Sequence, residues 1–191
     1  MNILHIDSSI TGENSASRTL SAAIVSELVA DQPDAQIAYR DLVAQPLDHL
    51  TLGEFGTPGA LEVMAQFKAA DTIVLGTGMY NLSVPSQLKA WFDRIMIAGE
   101  TFKYTESGPQ GLAGGKRVIV ALARGGFYGA ESGARDFEFA ERYIASVFDF
   151  IGVTDIRFII AEGIAVGPEQ RAAAVADAHR QIAELFLVAA E

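Results

Sequence analysis

The chain's 191 residues are 50% hydrophobic and carry a formal net charge of −10, which suits one compact domain over residues 1–191 burying roughly 70% of its extended surface. That charge repels both a phosphate backbone and an anionic bilayer, so neither nucleic acid nor a membrane surface is an expected partner. The absence of cysteine removes disulfides, thiolate nucleophiles and thiolate metal sites, so redox work would need a borrowed cofactor.

No apolar run approaches the ~20 residues of a spanning helix and the first residues carry no export signal, which makes the expected compartment cytoplasmic. Met1 to Ile6 is a short apolar strand. The polar loop Asp7 to Ser17 leads from it into a helix from about Ser17 to Ala30, with apolar residues at Leu20, Ile24, Leu28 and Val29. Free amides and the dipole at a helix start favour an anion, and Ser9, Ser15 and Ser17 add hydroxyl donors. Taken alone, the serines read better as helix caps. The glycine spacing and Gly-Lys-Ser/Thr run of a triphosphate loop are missing. Asp7 would repel a phosphate and is expected to point away into a hydrogen-bonded niche.

Gln36 to Leu42 gives a second strand. The long connection Pro46 to Gly59 is rich in Gly, Pro and Thr and is expected to act as a lid before a helix near Leu61 to Ala70. Thr72 to Gly76 reads as a strand buried on both faces, and Pro85 and Ser86 open a helix to Ile97. Between them Met79, Tyr80, Asn81 and Leu82 fall at the strand's carboxyl end, where open α/β sheets bind ligands. Gly76 and Gly78 start like a dinucleotide fingerprint, but the third glycine is absent and the strand is the third, not the first.

Phe102 to Gly115 reads as an irregular excursion with Gly114 and Gly115 as a turn, followed by the strand Lys116 to Ala123 and the loop Arg124 to Gly133. A helix over Ala134 to Phe150, a strand over Asp155 to Ala161 and an alanine-rich helix from Pro168 onward complete the chain. Five strands alternating with helices predict a flavodoxin-like α/β three-layer sandwich, its five-stranded parallel sheet ordered 2-1-3-4-5 with helices on both faces. In that order the loops after strands 1 and 3 share one crevice. His5, His49 and His179 sit on a strand, a loop and the last helix, and none reads as a catalytic base.

With these loops located, the chain resembles the FMN-dependent NADH-azoreductases, also described as FMN-dependent NADH:quinone oxidoreductases. The motifs that carry the resemblance are Ser9 with Ser15 to Ser17, Met79 to Leu82 with Ser86 to Lys89, Thr101 to Gly111, Arg124 to Gly126, and Phe150 to Asp155. The resemblance implies that Ser9, Ser15, Ala16 and Ser17 hold the FMN phosphate. It also implies that Met79, Tyr80, Asn81, Leu82, Ala123, Arg124, Gly125 and Gly126 surround the flavin ring, chiefly through backbone N–H groups. Arg124 reads either as a cation beside the flavin or as a surface ion-pair partner. A member of this family would be a homodimer with one FMN per subunit and no metal. It would take electrons from NADH or NADPH in a ping-pong cycle, reduce quinones and cleave aromatic azo compounds. Tyr104 and Phe150 would wall the pocket near the interface, with core packing the competing role for Phe150. The chain departs from the family pattern in a shorter connection before Leu61 and in Phe127 and Tyr128, which would border the substrate pocket. Two rivals share the strand order. A flavodoxin-type electron carrier would lack its own NADH oxidation, and a receiver domain would need clustered acids for magnesium where this chain has the isolated Asp7.

Overall fold

The computed structural model describes residues 1–187; the last four residues of the expected terminal helix lie outside them. The elements in chain order are β1 (Asn2–Asp7), α1 (Ala16–Asp31), β2 (Gln36–Asp41), α2 (Pro58–Ala69), β3 (Thr72–Gly78), α3 (Ser86–Ile95), β4 (Phe102–Thr105), β5 (Gly108–Gly111), β6 (Arg117–Ala123), α4 (Ala140–Phe150), β7 (Asp155–Ala161) and α5 (Pro168–Leu187). The main sheet runs β2-β1-β3-β6-β7, with every neighbouring pair parallel. This is the flavodoxin-like order expected from the sequence, once the separate β4-β5 pair is numbered in.

The pleat sends alternate residues to opposite faces. Leu4, Ile6, Ile73, Leu75, Val118, Val120 and Leu122 meet Phe67 of α2, Trp91 and Phe92 of α3, and Phe148 of α4. Ile3, Val74, Ile119, Ala121 and Ile159 meet Leu20, Ile24 and Leu28 of α1 and Ala174, Ala178 and Ile182 of α5. β3 is central and buried along its whole length, which is why it reads as a continuous apolar run.

Two glycines set close approaches. Asp7 pairs with Gly76 in the β1-β3 register, and a Cβ at Gly76 would overlap Oδ1 of Asp7 and stand 2.7 Å from Oγ of Ser21 on α1. A Cβ at Gly111 would overlap the backbone of Gly152 at the α4-β7 turn, where the N–H of Ala113 donates to the carbonyl of Ile151 at 2.8 Å. Gly111 therefore seats β5 on the body of the domain.

Two expectations need correction. The excursion Phe102 to Gly115 is an ordered antiparallel hairpin, β4-β5, which Gly108, Pro109, Gln110 and Gly111 conceal because they offer no apolar alternation. The helix expected from Ala134 begins at Ala140, after a short 3-10 turn at Arg135–Phe137. The N–H of Phe139 is spent on the Leu82 carbonyl at 3.0 Å, so it cannot continue a helix. The connection Pro46 to Gly59 joins the end of β2 to the start of α2: Glu54 reaches Arg94 of α3 at 3.8 Å, Leu47 packs into the α2-α4 core, and Thr57 caps α2 by accepting the Ala60 N–H.

Replacing Gly76 by alanine forces the Asp7 carboxylate off Ser21 in a fully packed layer, and should cost roughly 2–4 kcal/mol. Urea unfolding of Gly76→Ala measures it, and a loss below about 0.5 kcal/mol would mean that the strand separation relaxes freely.

Candidate functional site

All five parallel strands end on one edge, and their exit loops are tied pairwise. The N–H of Ser8 donates to the Gly76 carbonyl at 2.9 Å, that of Met79 to Ala123 at 2.9 Å, and that of Arg124 to Ala161 at 2.8 Å. Beyond these ties the loops after β1, β3, β6 and β7 enclose a cleft of about 610 Å³, within the size range of small-molecule sites.

One end of the cleft is polar. Ser15 caps α1, its Oγ accepting the Arg18 N–H at 3.2 Å and lying 3.1 Å from Oγ of Ser17. The amides of Ala16 and Ser17 in the first turn have no intrahelical acceptor and face the cleft these residues line. Capping and anion binding, alternatives in the sequence, are compatible here, because the cap uses only the Arg18 amide. Ser9 Oγ lies 3.0 Å from Tyr80 Oη, and that hydroxyl also accepts the Ile10 N–H at 3.3 Å. The two loops expected to be neighbours are thus directly bonded.

The other end is flatter and less polar, walled by Gly78, Met79, Ala123, Gly125, Ile164 and Ala165. Tyr80, Asn81, Leu82 and Ser83 make a two-residue turn with reciprocal Tyr80–Ser83 backbone bonds of 2.9 and 3.1 Å. Asn81 and Leu82 take φ of 47° and 73°, as a type I′ turn demands. Asparagine tolerates that region, whereas leucine is held in it at a cost of about 1–2 kcal/mol, a strain of the kind found at ligand clamps. The N–H groups of Asn81, Leu82, Gly125 and Gly126 have no protein acceptor among the described residues.

Two buried polar networks brace these loops. Under the first loop, Asp7 points away from the cleft as expected, accepting from Ser21 Oγ at 2.8 Å and Tyr39 Oη at 3.1 Å. His5 lies 3.0 Å from Ser21 Oγ in the same niche and is structural. Arg18 grips Asp41 through both guanidinium nitrogens, at 2.7 and 2.8 Å, and donates to the Ser9 carbonyl at 3.0 Å. The Arg18 bond, with the amides of Val43 and Ala44, holds the Asp41 carboxyl down at about 2, although partial burial opposes it. Behind the β6 loop, Arg124 is 2% exposed. Its guanidinium faces Glu141, lies 2.9 Å from Glu162 and 3.5 Å from the buried Glu138. Glu162 also accepts the Tyr128 N–H at 2.8 Å.

Of the residues expected at the site, Ser9, Ser15, Ala16, Ser17, Met79, Tyr80, Ala123 and Gly125 line the cleft. Asn81 faces a neighbouring hollow beside Ile10 and Tyr143, and Leu82 and Gly126 are not among the residues that line the cleft. Arg124 does not line the cleft; its buried guanidinium pairs with Glu138, Glu141 and Glu162, where the sequence leaves a cation beside a flavin and a surface ion pair open. Phe127 packs over Gly163, and Tyr128 stands beside Gly126. Tyr104 and Phe150 flank Phe102, with ring centroids 5.5 and 4.8 Å away, and lie on the hairpin side outside the cleft. Sequence reasoning missed Thr11, Asn14, Ile164, Ala165 and Arg171, which also line it. The signal for Ile164 and Ala165 was available, because their loop follows the strand adjacent to β6 and is bounded by Gly163 and Gly167.

Asp41 has a carboxyl held near 2 against an ordinary 3.8. The Arg18 pair therefore contributes stability that is complete above pH ~4 and lost as pH falls toward ~2. The stability gap between wild type and Asp41→Asn should be about 1–2 kcal/mol at pH ~5 and shrink toward pH ~2; a gap that stays constant in urea titrations contradicts that linkage. Arg124→Met leaves three carboxylates facing one another and should cost roughly 3–5 kcal/mol, read from the same unfolding curves. A loss under about 1 kcal/mol would show that the cluster does not brace the loop.

A family model described as "Flavodoxin-like fold" matches residues 1–186. The FMN-dependent NADH:quinone oxidoreductase of Rhizobium meliloti (strain 1021) is 52% identical, the match covering 96% of each chain. FMN-dependent NADH:quinone oxidoreductase 2 of Bradyrhizobium diazoefficiens is 50% identical over 93% of this chain and 95% of that protein. The solved FMN-dependent NADH-azoreductase from Bacillus anthracis str. Ames Ancestor, in complex with FMN, aligns with a TM-score of 0.85 at 27% identity, covering 100% of both chains. With sequence and architecture matched from end to end, the chain belongs to the flavodoxin-like family of FMN-dependent NADH:quinone oxidoreductases and azoreductases.

Proposed function

We propose that this protein is an FMN-dependent oxidoreductase that takes electrons from NADH and delivers them in pairs to quinones, and that it also cleaves aromatic azo compounds. The observation that carries this reading is the polarity of one cleft, with helix amides and serine hydroxyls at one end and small residues with open backbone donors at the other. The residues fit FMN: Ser9, Ser15 and the Ala16 and Ser17 amides suit its phosphate, while Gly78, Ala123 and Gly125 leave room for a flat ring. Bound there, FMN supplies hydride acceptance and donation.

The chain's own contribution is placement. The amides of Asn81, Leu82, Gly125 and Gly126 donate hydrogen bonds at the ring-binding end, where fixed dipoles stabilise developing negative charge without reorganising. The inward ion pairs of Arg124 keep Gly125 in place, and Tyr80 locks the two loops together through Ser9. Donor and acceptor take turns at the open side, so their reacting atoms are brought to near-attack separation by stacking instead of by an acid-base residue. NADH, not NADPH, is the donor in this reading, on the names the relatives carry.

We extend the proposal to a cytoplasmic homodimer. Exposed Ile10, Leu82, Phe127, Phe137 and Phe139 support a second copy covering the rim. Dimerisation would also bring the hairpin surface with Tyr104, 74% exposed in one chain, and Phe150 toward a pocket, and would leave Phe127 and Tyr128 to select flat acceptors.

Purified protein should be yellow or turn yellow on adding FMN, and should oxidise NADH with menadione or methyl red as acceptor. Initial rates at several fixed menadione concentrations should give parallel double-reciprocal lines, whereas converging lines would overturn the alternating use of one face. Bound FMN with negligible NADH oxidation would instead favour a flavodoxin-type carrier.

A further inference from the structure

The polar end of the cleft, as read from the sequence, contains hydroxyls and amides but no cation, in a chain whose formal net charge is −10. A doubly charged phosphate approaching it meets an unfavourable long-range field, so local compensation matters more than usual. Arg171, in the first turn of α5, lines the same cleft. Its Nη2 donates to the carbonyl of Asn14 at 2.5 Å, immediately before the Ser15 cap of α1. Arg18, Arg40, Arg94 and Arg124 are each within 4.0 Å of a carboxylate, whereas Arg171 makes no ion pair among the described residues. The Asn14 carbonyl uses one N–H of the guanidinium, leaving others of the planar fork free for an anion.

The loop that delivers Arg171 also builds the opposite end of the cleft. The N–H groups of Ile164 and Ala165 donate to the carbonyls of Arg124 and Gly125 at 3.1 and 3.0 Å, and the Arg171 N–H donates to Gly167 at 2.9 Å at the start of α5. Ring-binding wall and cation are therefore fixed to one short segment, and the Asn14 bond fastens that segment to the phosphate loop.

We propose that Arg171 is the cation that neutralises the phosphate of the bound flavin and makes this protein select FMN over unphosphorylated riboflavin. The inference rests on the reading of the cleft as a flavin site and adds a specificity-determining residue to it. Flavin fluorescence quenching tests it: flavin-free protein is titrated with FMN and, separately, with riboflavin, for wild type, Arg171→Gln and Arg171→Lys. Loss of one charge-assisted interaction should weaken FMN binding by about 10- to 100-fold in Arg171→Gln. Riboflavin binding should change by less than about 2-fold, and Arg171→Lys should recover part of the FMN affinity. Equal weakening of both ligands would overturn the proposal in favour of a merely structural role for the Asn14 bond, and unchanged FMN binding would overturn it outright. If the wild type quenches neither ligand, the flavin reading itself fails and the proposal falls with it.

Discussion

The site depends on one close approach: the carboxylate of Asp7 lies against the bare α-carbon of Gly76, with Ser21 of α1 bonded to the same oxygen. That contact turns the acid into the niche shared by His5 and Tyr39, so it does not compete with an anion at the helix start. It also draws α1 onto β3, which sets the height of the Ser15 cap relative to the loop beyond Gly78. A sheet in which β1 and β3 were not neighbours could not form it.

The remaining geometry is braced by charge placed out of the ligand's reach. Arg18 and Asp41 hold the Ser9 carbonyl from below, and Arg124 with Glu162 holds the β6 exit loop from behind. Ion pairs of this kind, that of Arg124 buried and that of Arg18 partly so, contribute little net stability because desolvation offsets their attraction, but leaving a buried partner unpaired is strongly penalised. Here they fix loops whose backbone donors would otherwise be free to find other partners. The strained φ of Leu82 is tolerated for the same reason, with the turn closed by Tyr80 and Ser83 and its carbonyl bonded to Phe139.

The result is a cleft whose chemistry is mostly main-chain. Amides of α1 and of the loops at Asn81 and Gly125 do not depend on side-chain identity, and the polar side chains lining the cleft include Ser9, Ser15, Tyr80 and Arg171. Such a site would orient a cofactor that carries its own reactivity.

What the sequence by itself determined was everything governed by local pattern. Apolar runs gave five strands and their parallel order, and the loops at Ser9, Met79 and Arg124 were placed at one sheet edge because strand exits must lie there. The hairpin β4-β5 was hidden because Gly108 to Gly111 carry no alternation to read, and the start of α4 was hidden because the Phe139 amide is claimed by Leu82, far away in sequence. The direction of the Arg124 side chain was left open by the sequence, since a strand exit fixes the backbone and not which side the side chain takes, and the structure turns it into the carboxylates of Glu138, Glu141 and Glu162. Only tertiary structure could bring Arg171 to Asn14, a separation of 157 positions: that contact exists because α1 and α5 pack on the same face of the sheet, and no periodicity in either helix records it.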